Sequence, residues 1–370
     1  ISTPHISPPG TRAKRLWHWL QTAIAGKSPK KPPTIWLPRR IASKPARYLS
    51  VVATIKNEGR YLREWIEFQR LMGVEQVYLY DNGSTDNTYE VVAGYVAEGF
   101  VIIIPWMTFD VKAHAQLQSY AHALCNFGPQ FRWMAFIDLD EFVFPVTARN
   151  LIEVLSGYED CPCLRVPRFS FGFSGHQVPP AGLIIENYTA RAPYPPIPAR
   201  KKLIGYKSIV TPADVIGIDS AHGFHLDCGI KGGFDERRLL MTRATRRQNP
   251  APGAVLRINH YFTRSRQEFA AKTNIRGDFG RFKASKKSQI ADMIEQETIH
   301  DRTILRFAPA LRERISQRQF AIIKGGPSLV CPPEEAQKIW RNRSRRDDGY
   351  GYQQQRIGTN PFGALPGKVW

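Results

Sequence analysis

Tyr48-Leu49-Ser50-Val51-Val52-Ala53-Thr54-Ile55-Lys56-Asn57-Glu58 decides how the rest of the chain reads. Residues 48–55 are largely apolar and β-branched, the pattern of a buried strand, and the run stops abruptly on three polar residues. Working outward, residues 60–72 bring Leu62, Trp65, Ile66, Phe68 and Met72 round at helical spacing. An amphipathic helix is therefore expected there. Residues 76–80 read as a second strand, 85–98 as a helix and 100–105 as a third strand. A helix over 113–127 and a strand over 133–137, ending at Asp138, complete the series. Strands alternating with helices call for an α/β fold with a mostly parallel sheet and helices on both faces.

Beyond Asp140 the alternation breaks down. A short helix is expected over 150–155, a strand over 163–168 and another over 255–262. Ser265 and Glu268 form a capping-box pattern for a helix running to about Lys272. Residues 286–307 and 310–319 read as helical. Residues 169–200 are rich in Gly, Pro and aromatics, which suits a loop that receives an acceptor. The expected organisation is a basic, Pro-rich segment over 1–46, a catalytic domain over 47–280, a helical extension over 281–325 and a polar tail over 326–370. The catalytic domain divides into a nucleotide-side half, 47–145, and an acceptor half, 146–280. No internal repeat occurs.

The 370 residues are 42% hydrophobic and 11% aromatic, enough to bury a substantial core. The net charge is +20, from 52 Lys and Arg against 32 Asp and Glu. Nucleic acid, an anionic membrane surface and a phosphorylated substrate are the three partners such a balance suggests. Much of the excess lies toward the ends, in residues such as Arg12, Arg15, Arg39, Arg343 and Arg346. Arg15-Leu16-Trp17-His18-Trp19-Leu20 reads either as a membrane-surface helix or as a segment packed on the domain. Five cysteines, an odd number without a CxxC pair, point to a reduced, cytoplasmic setting. No apolar run approaches the roughly 18 residues that span a bilayer. The chain begins with Ile1, which leaves a preceding anchor or domain open.

Ligands of open parallel sheets bind at the C-terminal ends of the strands. Three polar clusters fall there: Lys56-Asn57-Glu58, Asp81-Asn82-Gly83-Ser84-Thr85-Asp86 and Asp138-Leu139-Asp140-Glu141. Asn-Gly-Ser alone signals a turn, and Ser84 or Asp86 alone an N-cap. Neither explains why Asp81 closes an apolar strand. Asp138 and Asp140 follow a buried run one residue apart, and on an extended strand they would share a face. Carboxylates are hard oxygen ligands for Mg²⁺ or Mn²⁺, and such an ion bridges phosphate oxygens and eases departure of a diphosphate.

The first two clusters resemble the nucleotide-binding half of family 2-type glycosyltransferases of the GT-A fold. Phe136-Ile137-Asp138-Leu139-Asp140-Glu141-Phe142 is similar to the Asp-x-Asp-Glu-Phe form of glycosyltransferase family 92, the domain once named DUF23. Phe171-Gly172-Phe173-Ser174-Gly175-His176 resembles that family's Phe-Gly-Ser-x-Gly-His segment, with Phe173 at the usual Ser. Asn259-His260-Tyr261-Phe262-Thr263-Arg264-Ser265, with Glu268, Phe269 and Lys272, resembles its His-Tyr segment. The resemblance covers residues 48–280.

It implies a GT-A type, Rossmann-like sheet and a hexosyltransferase using a nucleotide-sugar, with a UDP-sugar expected. Thr54, Lys56, Asn57, Glu58, Asp81, Asn82 and Asp86 would bind the nucleotide, and Asp138 the nucleotide-sugar. Asp138, Asp140 and His260 would hold Mn²⁺ or Mg²⁺. Lys272 and Arg276 would contact the diphosphate, one as a point charge and the other as a fork. Inversion by direct displacement needs a base to deprotonate a glycan, glycolipid or polysaccharide hydroxyl. Asp227 is the first candidate and Glu186 the second. A magnesium-dependent nucleotidyltransferase, a nucleic-acid-binding protein and an inactive glycan-binding relative are the competing readings. Acids at the strand ends argue against nucleic acid as the partner, and retention of both Asp138 and Asp140 argues against lost turnover.

Overall fold

The structure is a computed structural model that describes residues 34–38, 44–107, 114–191, 205–241, 255–274 and 299–323. Segment 15–20, Arg276, residues 286–298 and the 326–370 tail lie outside that set. The chain runs through β1 (Ile35–Trp36), β2 (Arg47–Ile55), α1 (Gly59–Leu71), β3 (Gln76–Asp81), α2 (Thr88–Ala97), β4 (Val101–Pro105), α3 (Ala115–Asn126) and β5 (Phe131–Phe136). It continues with β6 (Glu141–Pro145), α4 (Leu151–Leu155), β7 (Cys163–Ser170), α5 (Ile184–Asn187), β8 (Ala190–Arg191), β9 (Gly205–Val210), β10 (Val215–Ser220) and β11 (Gly223–Leu226). Last come β12 (Leu256–His260), α6 (Arg266–Asn274), β13 (Ile299–His300) and α7 (Ala308–Ile323).

Eight strands make the main sheet, in the order β4-β3-β2-β5-β9-β7-β12-β6. The β4-β3-β2-β5 half is wholly parallel. The other half is mixed: β9 runs antiparallel to β5 and β7, β12 parallel to β7, and β6 antiparallel to β12. The α/β class, with a parallel nucleotide-side half and a mixed acceptor-side half, is the one the resemblance implied, except that the mixed half, expected to be smaller, contributes as many strands to the sheet as the parallel one.

Strand β2 shows how period two builds both layers. Leu49, Val51, Ala53 and Ile55 pack with Leu62, Trp65 and Ile66 of α1 in one core. Val52, on the other face, joins Leu117, Tyr120 and Leu124 of α3 and Phe224 of β11 in a second. Residues 137–140 alone link β5 to β6, although three strands lie between those two in the sheet. Four strand spacings of roughly 4.8 Å exceed what so short a turn reaches across a flat sheet. The sheet therefore curls, and the Asp138–Asp140 turn lies across the gap the curl narrows.

Some expectations change. Helix α2 starts at Thr88 rather than 85, because Ser84, Thr85 and Asp86 belong to a hydrogen-bonded loop. Strands β6, β9, β10 and β11 lie where no element was predicted. A helix over 286–307 does not hold: Ile299–His300 is a strand and Thr303–Phe307 a 3₁₀ turn. The expected 310–319 helix lies within α7. From the N-terminal segment, Ile35–Trp36 pairs with β10 in a three-stranded sheet completed by β11.

Candidate functional site

The first two polar clusters interlock. Asn57 takes a left-handed backbone, φ 55°, which a short polar side chain tolerates. Its amide donates to Ser84 Oγ at 2.8 Å, and its side-chain oxygen accepts from Thr85 N at 2.7 Å. Asp86 accepts from Gly59 N at 2.9 Å and from Thr88 N at 3.1 Å, joining the start of α1 to that of α2. Asp81 is buried, accepts from Ser84 N at 3.1 Å and from Tyr89 OH at 2.9 Å, and thereby closes its own loop. Asn82 is buried beside it. Thr54 Oγ1 and Ser119 Oγ are 2.9 Å apart, an internal link from β2 to α3. Lys56 is exposed at the rim.

The Asp-Leu-Asp segment is a turn, not an extended strand. Strand β5 ends at Phe136, and Glu141 N donates back to Asp138 O at 3.0 Å. This corrects the expectation that both carboxylates share a strand face. The turn sends them to separate partners. Asp138 lies 2.6 Å from Lys207 Nζ through Oδ2 and accepts from Gln116 Nε2 at 2.9 Å through Oδ1. Asp140 lies 2.8 Å from Lys272 Nζ through Oδ2 and 3.4 Å from His260 Nε2 through Oδ1. Tyr261 N donates to Asp140 O at 2.8 Å, and His260 stands opposite Glu141 across the β12–β6 ladder.

Burial alone would raise the Asp140 carboxyl, but Lys272, His260 and Arg264 outweigh it and hold it well below the ordinary carboxylate range. Burial would lower the Lys207 ammonium, yet Asp138 and Glu141 push it above the ordinary lysine range. Glu141 is fully buried, 3.0 Å from Arg168 Nη1 and 3.3 Å from Lys207. Arg264 bonds Glu58 at 2.9 Å, covers the Tyr61 ring at 4.2 Å and keeps a backbone φ of 50°. A bulky residue in that region stores strain of about 1–3 kcal/mol, tolerated where the surroundings over-determine it. It links the Glu58 cluster to the Asp140 cluster.

Helix α6 delivers Lys272. Glu268 N donates to Ser265 Oγ at 3.3 Å and Ser265 N to Glu268 Oε2 at 3.1 Å, the reciprocal cap expected from the sequence. Arg266 N and Gln267 N donate to His176 O and Gln177 O, tying α6 to the 171–177 loop.

Among the described residues no three His, Cys, Asp or Glu side chains converge as a metal cage. Asp140 and His260 fit a smaller role. Their facing donor atoms are close enough to sit side by side on one cation, and an oxygen–imidazole pair suits Mn²⁺. The second ring nitrogen of His260, Nδ1, is buried without a hydrogen-bond partner among the described residues. Asp138 is held instead by Lys207 and Gln116.

The two candidate bases take part in other contacts. Asp227 is exposed in the turn after β11, and its amide donates to Asp214 O at 2.9 Å. Asp214 feels the charge of Arg132 at the opening of β5, the end of that strand away from Asp138. Glu186, on α5, pairs with Arg312 of α7 at 2.8 Å. Lys207, Gln116, Arg168 and Arg264 are the residues the sequence reading missed. The one available signal was a lone lysine within the short Tyr206–Val210 run.

Residues 51–213 match the model of glycosyltransferase family 92, which bears out the resemblance read from the motifs. A glycosyltransferase family 92 protein of Ricinus communis is 30% identical over 222 residues, 58% of this chain and 35% of its own length. One from Oryza sativa subsp. japonica is 31% identical over 195 residues, 50% and 31% of the two chains. A beta-1,4-galactosyltransferase of Caenorhabditis elegans is 25% identical over 137 residues, 35% and 32%. The chain thus spans about a third of the length of the curated relatives it matches. Among solved structures, S. aureus TarS 1-349 superposes with a TM-score of 0.31 at 15% identity over 66% of this chain and 70% of that one. Glucosyl-3-phosphoglycerate synthase from Mycobacterium tuberculosis, in complex with Mn²⁺, UDP and glucosyl-3-phosphoglycerate, gives 0.26 at 18% identity over 46% and 58%.

Proposed function

We propose, from the family 92 match over residues 51–213 and the acids gathered at one end of its sheet, that this chain is a metal-dependent glycosyltransferase using a nucleotide-sugar. The observation that carries the reading is that Glu58, Asp81, Asp138 and Asp140 lie at or just beyond the C-terminal ends of β2, β3 and β5, three neighbouring parallel strands. The donor is a UDP-sugar, a choice supported by the solved neighbours bound to UDP and UDP-GlcNAc. Asp81 and Glu58 receive the nucleoside, and Asp138 accepts from donor hydroxyls. Lys272 and Arg264 supply positive charge beside the leaving diphosphate. Asp140 and His260 hold Mn²⁺ or Mg²⁺, which when bound neutralises the diphosphate charge. Transfer to a hydroxyl of a glycan, glycolipid or polysaccharide proceeds by direct displacement with inversion. The setting is cytoplasmic, at an anionic membrane surface that the basic ends of the chain favour.

The test is a panel of nucleotide-sugars offered to the full chain with and without Mn²⁺. A true donor raises the melting temperature by mass action, more strongly with the metal present. Asp140→Ala is expected to cut Mn²⁺-dependent hydrolysis or transfer by about a hundredfold or more while keeping the far-ultraviolet spectrum. Removing divalent cations with EDTA should do the same to the unaltered chain. Unchanged turnover in the variant refutes the metal assignment. Saturable binding of labelled DNA at physiological salt, with no response to any nucleotide-sugar, favours the nucleic-acid reading instead.

A further inference from the structure

We propose that Lys207 is a positioning residue of the donor site, acting through Asp138. The inference rests on the donor-site reading above. The side chain of Lys207 is 1% exposed, on β9, the strand beside β5. Its ammonium lies 2.6 Å from Asp138 Oδ2 and 3.3 Å from Glu141 Oε2. The same Glu141 oxygen accepts from Asp138 N at 2.9 Å. One cation and one carboxylate therefore fix the backbone and the side chain of Asp138 together. Gln116 completes the hold from α3, and Tyr120 OH accepts from the same Gln116 amide at 3.0 Å.

Beneath them Arg168 closes the set on Glu141. Two positive and two negative groups, Arg168, Lys207, Glu141 and Asp138, thus balance around the turn. The Asp138 side chain remains 32% exposed, so it is oriented from below and open from above. A carboxylate oxygen accepts more than one hydrogen bond, so each keeps capacity for a hydroxyl of the donor. Neutralisation by Lys207 also limits the repulsion that a bare Asp138 would exert on an arriving diphosphate. A neutral side chain at 207 would fill the space and lose both effects.

The experiment measures UDP binding to the full chain in the presence of Mn²⁺ by titration calorimetry. The variants are Lys207→Met and Lys207→Arg. Because Lys207→Met removes the cation between Glu141 and Asp138 and leaves two carboxylates against Arg168 alone, Lys207→Met with Glu141→Gln serves where the single variant does not fold. That pair keeps the local charge balanced through Asp138 and Arg168. The expected result is a folded Met variant whose affinity for UDP falls about 10- to 100-fold, the usual effect of losing a supporting partner. Lys207→Arg is expected to recover most of the loss, which a space-filling role would not predict. A folded Met variant that binds UDP within about twofold of the unaltered chain overturns the assignment, as does an Arg variant as weak as the Met variant. Failure of the unaltered chain to bind UDP overturns the donor-site reading itself, and this assignment with it.

Discussion

At the residue scale the site depends on one missing side chain. A Cβ on Gly205 would come within 2.6 Å of Arg168 Nε and Nη2. Arg168 can lie flat over the start of β9 only because position 205 has no side chain, and from there it reaches Glu141 at 3.0 Å. Gly205→Ala should push the guanidinium off that carboxylate and leave a fully buried acid with one cation fewer. Breaking a buried pair costs about 3–5 kcal/mol, and Arg168 is partly exposed, so a loss of about 1–3 kcal/mol is expected. Urea unfolding of the two chains checks it; equal midpoints would mean that Arg168 finds another route to Glu141. None of this was legible beforehand. Gly205 and Arg168 are 37 residues apart, and a lone arginine in a strand carries no label naming its partner. Asp81, Asp138 and Asp140 were legible, because each interrupts or closes an apolar run where hydrophobic burial cannot explain it.

At the element scale two short helices are anchored in different ways. Helix α6 begins on the Ser265–Glu268 box, and Glu268 also accepts from Tyr61 OH of α1. Ser265→Ala should cost about 1 kcal/mol of stability, the usual value of an N-cap. It should also raise the donor KM, since α6 carries Lys272 to Asp140. A stability loss with KM unchanged would separate the helix from donor binding. Helix α5 is held differently: Glu64 of α1 accepts from Ile184 N at 2.8 Å and Ile185 N at 3.2 Å. Burial pushes the Glu64 carboxyl up to about 7 from 4.5, although the two amides pull it back. The folded state therefore holds this proton more tightly than the unfolded state. Below about pH 4.5 both states are protonated and the group is neutral to stability. Between about pH 4.5 and 7 its contribution becomes increasingly unfavourable, reaching about 3 kcal/mol above the folded value. Glu64→Gln, neutral throughout, should gain on the unaltered chain as pH rises from 5 to 8. Parallel melting curves across that range would show that Glu64 ionises without penalty. The capping box was readable because its two residues are three apart in sequence. The Glu64 cap joins residues 120 apart, so nothing local announced it.

At the scale of the whole molecule, every strand of the parallel half was legible and only β7 and β12 of the mixed half were, for one physical reason. In the parallel half each strand is separated from the next by a helix, so every element carries its own periodicity. In the mixed half β9 is inserted between β5 and β7, and β6 pairs with β12, far along the chain. Their burial is decided by neighbours distant in sequence. The C-terminal helix, which the sequence sets beyond the catalytic domain, is likewise buried by neighbours distant in sequence. Ile304, Phe307, Ala308 and Leu311 belong to the same core as Leu62 and Trp65, and Phe307 meets Phe68 edge-on with ring centres 5.8 Å apart. Arg314 lies 3.1 Å from the buried Glu67, and Asp301 bonds both Arg257 and Arg191 at 2.6 Å. A chain ending at residue 298 would lose four buried apolar side chains; the larger ones each contribute about 1.5–3 kcal/mol. It would also remove the partner of the buried Arg257, at about 3–5 kcal/mol, and that of Glu67, at less because Arg314 is partly exposed. The sum is comparable to the roughly 5–15 kcal/mol by which whole domains are stable. The shortened chain is therefore expected to be insoluble, or soluble without a cooperative melt and without near-ultraviolet dichroism. Should it melt cooperatively within a few degrees of the full chain, α7 is an appendage, and the catalytic core ends where the sequence alone sets it.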